Sequence, residues 1–305
     1  MDNDSKIFVA GSNGLVGSAI KKKLEEYHYN NVYWVRRENC DLRNRVQVES
    51  YFLQSKPEYV FLSAAKVGGI GVNLEQPAEF LYDNLMIQSN IIDAAYRHGV
   101  KKLLFFGSAN TYPKECLKPI KEEYLLSGSL DESTEPYAIA KIAGIKLCET
   151  YRKQYGCNFI SIQPSNVYGH TDKTKGHVIY TLINKFHEAK VNNEPVVKCW
   201  GSGRAYREFI HANDLADASI FLMQSYDGCG IINVGSGKEI SIFDLACKIA
   251  SVVGYRGVIE WDQSKPDGIL SKLLDSTQLS NLGWKPSISL EEGLEITYQH
   301  YKQEN

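Results

Sequence analysis

The sequence has no excess of charge of either sign. Thirty-four Lys and Arg against 36 Asp and Glu give a net charge of -2 over 305 residues. No basic patch therefore points to nucleic acid, and no basic tail points to an anionic membrane. No apolar run approaches the ~18 residues that a membrane span requires. The N-terminus, MDNDSKIFVAG, is acidic where a secretion signal is basic, and no long apolar stretch follows. Seven cysteines are scattered, odd in number, and show no CxxC or Cys/His metal spacing. No metal is expected, and reduced thiols in a cytoplasm are the expectation. There is no internal repeat, low-complexity tract or clear linker.

What is present is an ordinary apolar content of 43%, arranged as an alternation. The apolar run 6–10 stops at Gly11, and helical spacing follows over 15–27. The spacing predicts strands over 32–37, 59–65, 102–108 and 158–164, with helices over 47–54, 80–98 and 135–155 between them. Buried strands alternating with amphipathic helices predict a parallel sheet covered on both faces. The second half is less regular. Helices are expected over 177–189 and 211–223, the latter capped by Asn213 or Asp214. Ser241 with Asp244, and Ser289 with Glu292, read as capping boxes. This half reads as a smaller lobe interleaved with the first.

The string GSNGLVG sets Gly11, Ser12, Asn13, Gly14, Leu15, Val16 and Gly17 at the first strand–helix junction. Glycines there let backbone N–H groups approach a pyrophosphate at a helix N-terminus. A nicotinamide dinucleotide is the expected cofactor. NAD sites place an acid at the end of the second strand, on the ribose 2′-hydroxyl. Here that strand is expected to end in Arg36 and Arg37, which suits a 2′-phosphate and so favours NADPH.

Tyr137 and Lys141 are four residues apart on an expected helix, hence on one face. Ser108 follows an apolar strand at the rim of the sheet. Hydride addition to a ketone leaves an alkoxide that needs a proton, and Tyr137 can supply it. A free phenol has a pKa near 10, so Lys141 is expected to lower it and to hold the nicotinamide ribose. Ser108 is expected to donate to the substrate carbonyl.

With these motifs, AAKVGGI (64–70), TEPYAIAKIAGIKLCE (134–149), PSNVYG (164–169), WGSGRAYREFIHANDLADA (200–218), KPDG (265–268) and KLLD (272–275) make the chain resemble the GDP-L-fucose synthase family. These are extended short-chain dehydrogenases/reductases that epimerise C3 and C5 of a GDP-4-keto-6-deoxy sugar and reduce C4 with NADPH. The resemblance implies an α/β, Rossmann-type doubly wound parallel sheet. Residues 1–165 and 208–240 would form the NADP-binding domain, and 166–207 and 241–305 the nucleotide-sugar lobe.

The resemblance also implies the roles of individual residues. Ser108, Tyr137, Lys141 and His177 are catalytic. Asp41, Leu42, Ala64, Ala65, Lys66, Asn84, Pro164, Asn166, Val167 and His177 lie by the dinucleotide with the glycine loop. Asn110, Asn166, Lys185, Trp200, Arg207, Asp267 and Lys272 bind the GDP-sugar with Ser108. A homodimer through the helices near 80–98 and 136–155 is implied as well.

The departures sit around the sugar. The family has Ser-Ser-Cys where this chain has Ser108-Ala109-Asn110. That cysteine works with the histidine as an acid/base in epimerisation. An amide has no usable protonation state near neutrality, so epimerisation is expected to be weakened or lost, and a separate epimerase becomes a possible upstream partner. Cys116, six residues on, reads as a spectator thiol. Lys185 stands for an arginine, KPDGILSK lacks the family's Thr-Pro-Arg, and GHTDKTKGH (169–177) is a shorter loop. The expected activity is C4 reduction of a GDP-4-keto hexose or heptose. The alternatives are the complete epimerase–reductase, an NAD-dependent epimerase or dehydratase, and a non-catalytic NADP-binding protein.

Overall fold

The computed structural model describes residues 1–169, 177–265 and 267–304. Most of the GHTDKTKGH string lies outside the described residues. The first half alternates as the sequence pattern requires: β1 (Ile7–Ala10), α1 (Leu15–Glu26), β2 (Val32–Tyr33), α2 (Arg45–Ser55), β3 (Tyr59–Leu62), α3 (Ile70–Glu75), α4 (Pro77–Arg97), β4 (Lys102–Phe106), α5 (Glu135–Tyr155) and β5 (Phe159–Pro164). The second half contains β6 (Asn166–Tyr168), α6 (Val178–Val191), β7 (Val196–Trp200), β8 (Tyr206–His211), α7 (Ala212–Ser225), β9 (Ile231–Val234), β10 (Glu239–Ser241), α8 (Ile242–Val253), β11 (Val258–Asp262), α9 (Thr277–Asn281) and α10 (Leu290–Glu304).

Six parallel strands form the main sheet in the order β2-β1-β3-β4-β5-β9. Its two faces follow from the period of two along each strand. In β1, Ile7 and Val9 point to the face covered by α1 and α7, where Ile20, Leu24, Leu215 and Ile220 are buried. Phe8 and Ala10 point to the face covered by α2, α4 and α5, with Phe52, Ile91 and Ile145. This is the expected doubly wound, Rossmann-type α/β sheet.

Helix α5 lies unusually close to the sheet. A Cβ on Gly144 would come within 2.4 Å of the Phe105 ring, so only glycine permits this approach. The helix has Pro136 in its first turn and ends at Gly156, whose φ of 72° suits the left-handed cap.

Two local expectations are corrected. The second strand stops at Tyr33, so Arg36 and Arg37 lie in the following loop. Trp34 leaves the sheet to lie under the Lys21 ammonium, 3.7 Å from its ring centroid. Helix α7 is capped by His211, whose Nδ1 accepts the Asn213 N–H at 3.2 Å, and not by Asn213 or Asp214. The Asp214 carboxylate is taken instead by Ser287 and Ile288. The serines at 241 and 289 do cap their helices, accepting from Asp244 N–H at 3.0 Å and Glu292 N–H at 3.2 Å.

The smaller lobe carries a three-stranded sheet, β10-β8-β6, and the parallel pair β11-β7. Its core joins Phe186 of α6, Leu245 and Ile249 of α8, and Leu294 of α10. Residues 274–284, expected in this lobe, place Leu274, Leu279 and Trp284 in the two cores of the larger one. These side chains cover apolar surface beside the main sheet that the strands alone leave open. A single residue, Ser165, separates β5 in the main sheet from β6 in the smaller one, and its N–H is held by Val234 O at 3.0 Å.

Candidate active site

A cavity of ≈ 1350 Å³ runs between the lobes over the C-terminal ends of β1, β3, β4 and β5. Ligands of open parallel sheets bind at such strand ends. Every site residue expected from the sequence lines this cavity except Arg36, Asn84 and Lys185. The three exceptions have definite places. Arg36 is exposed and 3.7 Å from Glu38. Asn84 is buried beneath the cavity wall, where its amide accepts from Lys66 N–H at 2.8 Å and donates to Lys66 O at 3.0 Å. It therefore shapes the strand-three loop from behind. Lys185 donates to Lys198 O at 2.8 Å and lies 6.0 Å from the Trp200 ring centroid.

At the first end, the glycine turn closes so tightly that a Cβ on Gly17 would lie 2.2 Å from Gly11 O. Gly11 itself has a φ of 92°, where only glycine is unstrained. The turn aims the N-terminus of α1 into the cavity. Ser12 is buried there with its Oγ unpaired among the described residues, and Ser165 Oγ farther along is in the same condition. A buried hydroxyl is normally satisfied, so both fit a ligand with oxygens to offer, as a dinucleotide has. Arg37 reaches the cavity from the loop after β2, 3.9 Å from Asp41. The guanidinium of Arg43 hydrogen-bonds Asp41 and pulls that carboxyl down to about 2, while also reaching Asp83 at 3.0 Å. Asp41 is thus paired with cations on two sides, and Arg37 stands exposed at the cavity edge.

At the middle, β4 delivers Ser108 and α5 delivers Tyr137 and Lys141. Burial pushes the Tyr137 phenol up to about 12, and the neighbouring Ser108 hydroxyl opposes that rise. Phe80 meets the Tyr137 ring edge-on at 6.3 Å between centroids and fixes its plane. Lys141 is buried and donates to Phe106 O at 2.7 Å, and burial brings its ammonium down to about 7. Its Nζ is 5.9 Å from the Tyr137 ring centroid. Burial thus raises the phenol where Lys141 is expected to lower it, and Lys141 is itself held low by burial. A protonated phenol beside a strand-end hydroxyl can still deliver a proton to a carbonyl oxygen.

At the far end, Trp200 is 67% exposed, a flat apolar face open to a base or sugar. Arg207 donates to Tyr206 O at 2.7 Å and Ile269 O at 2.5 Å. Asp267 accepts from Ser202 N–H at 2.6 Å and Ser202 Oγ at 2.7 Å, closing the 201–203 turn. Asn110 accepts from Lys272 Nζ at 2.9 Å. Asn166 donates to Glu208 O at 2.9 Å, and His177 stands at the start of α6 with the cavity before it. Cys116 is not among the lining residues, and burial raises its thiol.

Three contributors escape the sequence reading. Gln163 is fully buried and accepts the Ser108 N–H at 2.6 Å. Arg43 is the guanidinium just described. Glu208, also fully buried, accepts from Gly237 N–H at 2.7 Å and Leu274 N–H at 2.9 Å, tying the segment that carries Lys272 to the strand that carries Arg207. A polar residue inside the apolar string FISIQP and an acid inside REFIH were the signals available.

Residues 7–235 match the NAD dependent epimerase/dehydratase family. The chain is 50% identical over 303 residues to GDP-L-fucose synthase 1 from Arabidopsis thaliana, covering 98% of this chain and 94% of that protein. Among solved structures it superposes on a GDP-6-OMe-4-keto-L-xylo-heptose reductase from C. jejuni with a TM-score of 0.93 at 36% identity, covering 100% of this chain and 99% of that one. It also superposes on a GDP-mannoheptose C4 reductase from Campylobacter jejuni solved with NADP bound, with a TM-score of 0.92 at 38% identity and 99% coverage of both chains.

Proposed function

The chain belongs to the NAD dependent epimerase/dehydratase family, and within it to the GDP-L-fucose synthases and their relatives, and on that premise we propose that it is an NADPH-dependent C4 reductase of a GDP-4-keto sugar, a 6-deoxyhexose or related heptose, with C3/C5 epimerisation weakened or lost. NADPH, when bound, supplies the hydride. The protein's own residues do the rest. The glycine turn and Ser12 receive the pyrophosphate, and Arg37 receives the 2′-phosphate. Ser108 donates to the C4 oxygen and fixes it beside the phenol. Tyr137 passes its proton to that oxygen as negative charge develops there. Lys141, held by Phe106 O, lies behind the phenol on the same helix face and binds the ribose. Arg207 and Trp200 receive the diphosphate and the base.

The observation that carries this reading is the placing of Ser108, Tyr137 and Lys141 together on the cavity wall beside an amide at 110 that is bonded to Lys272. Proton removal from C3 or C5 needs a group that can take up and return a proton, and an amide cannot. A GDP-4-keto-6-deoxy sugar held in D₂O with the enzyme and no NADPH tests the point. Little deuterium at C3 and C5, with NADPH oxidised when it is added, is expected. Rapid exchange at both carbons would reject the loss of epimerisation.

His177 lines the same cavity and supports a second reading, the complete epimerase–reductase. GDP-fucose formed by this chain alone from the unepimerised ketone would establish it. The first reading leaves room for a separate upstream epimerase, or for none where the ketone already has the required configuration, and carries the expectation of a cytoplasmic homodimer through α4 and α5. Light scattering at micromolar concentration tests the dimer, with twice the 34.4 kDa chain mass expected.

A further inference from the structure

The amide that replaces the thiol is not free to turn. Lys272 Nζ lies 2.9 Å from Asn110 Oδ1. An ammonium has three donors and no acceptor, so only the amide oxygen can face it, and the amide nitrogen is turned away. Both partners are anchored. The Asn110 N–H donates to Ser108 Oγ at 3.2 Å, and the short turn Ala109–Thr111 holds its backbone. Lys272 is drawn to its place by Leu274, two residues on, whose N–H is held by buried Glu208 at 2.9 Å. The side chains of Asn110 and Ser108 line one wall of the cavity.

Ser108 is assigned above to the C4 oxygen. Of the two carbons flanking that ketone, C3 carries a hydroxyl, while C5 carries the ring oxygen and the C6 arm. An N–H donor one short turn from Ser108 therefore meets a strong acceptor only at C3. Resting on the reductase reading, we propose that Asn110, oriented by Lys272, is a specificity-determining residue whose amide N–H donates to the C3 hydroxyl oxygen, so that the enzyme selects 4-keto sugars that keep this hydroxyl over 3-deoxy ones. Asn110 touches substrate, and Lys272 acts through it as a positioning residue. The amide thereby reads the C3 hydroxyl, where the thiol of an epimerase would act on the carbon that bears it.

The test compares kcat/KM for a GDP-4-keto-6-deoxyhexose and its 3-deoxy counterpart in the full-length protein. Wild type is expected to favour the 3-hydroxy sugar by about 10–100-fold, the usual penalty for leaving a buried donor unpaired. In Asn110→Ala that ratio collapses toward one, with the loss carried by KM of the 3-hydroxy sugar. Lys272→Met lowers the ratio, and Lys272→Arg, which keeps a donor, restores much of it. Asn110→Ala retaining the wild-type ratio overturns the inference, as does a wild type that reduces both sugars equally. A wild type that oxidises NADPH with neither sugar overturns the reductase reading itself, and this inference with it.

Discussion

Gln163 Oε1 accepts the backbone N–H of Ser108 at 2.6 Å, across the junction of β5 and β4. The same amide donates to Thr111 Oγ1 at 2.5 Å, so one buried side chain spans both ends of the turn that carries Ser108 and Asn110. Gln163→Leu removes both bonds and leaves the Ser108 N–H unpaired. The expected result is a kcat about 5–100-fold lower, with the KM for NADPH within twofold of wild type. Steady-state kinetics with saturating sugar reads this directly, and an unchanged kcat contradicts it.

Tyr137→Phe keeps the ring against Phe80 and deletes only the proton donor. Turnover is expected to fall about 10²–10⁴-fold. NADPH binding, followed by nucleotide fluorescence, should stay within about threefold. Turnover that survives would move the proton donor elsewhere.

Lys141 predicts a linked proton. Burial holds its ammonium at about 7, below the ordinary lysine value, so at pH 8 it is mostly neutral. Binding of a polyanionic dinucleotide beside it favours the charged form. Titration calorimetry at pH 8 in buffers of different ionisation heat should show uptake of ~0.5–0.9 proton per site. Lys141→Met should abolish the uptake. Proton release on binding contradicts the assignment.

Arg37, and not Arg36, faces the cavity. Arg37→Ala should raise the KM for NADPH about 5–20-fold through loss of a charge-assisted contact. It should leave the KM for NADH within twofold, and Arg36→Ala should change neither. Equal effects of the two variants would show that the loop after β2 does not discriminate as described.

Glu208 predicts a pH-dependent stability. Burial raises its carboxyl to about 7, against the lowering effect of three backbone N–H groups. The folded chain therefore binds this proton more tightly than the unfolded one. The stabilisation is fully present below the ordinary carboxylate pKa, declines as pH rises toward 7, and is gone above it. The difference is on the order of 3 kcal/mol. The Tm of wild type minus that of Glu208→Gln should fall between pH 5 and pH 7 and level off above pH 8. A difference that stays flat would place the proton elsewhere.

The main sheet and its ligand end were legible because they follow from local pattern. The period-two apolar runs, the glycines at 11, 14 and 17, and the four-residue step from Tyr137 to Lys141 each fix their own geometry. Residues whose roles depend on distant partners were not legible. Gln163 and Ser108 are 55 positions apart, and Glu208 and Leu274 are 66 apart. No spacing rule connects them. The second strand was read four residues too long because β2 is an edge with one neighbour, β1, and the apolar Trp34 finds a cation in place of a strand partner. The cap of α7 was misplaced because Asp214, a strong capping residue in isolation, is claimed by a loop more than 70 positions away.

Ser165 is the only residue between a strand of the large sheet and a strand of the small one. Such a splice lets Pro164, Ser165 and Asn166 form one continuous stretch of the cavity wall from the large sheet to the small one. On the other side of the cavity, Ile70 of α3 packs against the Gly268 turn, within van der Waals reach of that glycine.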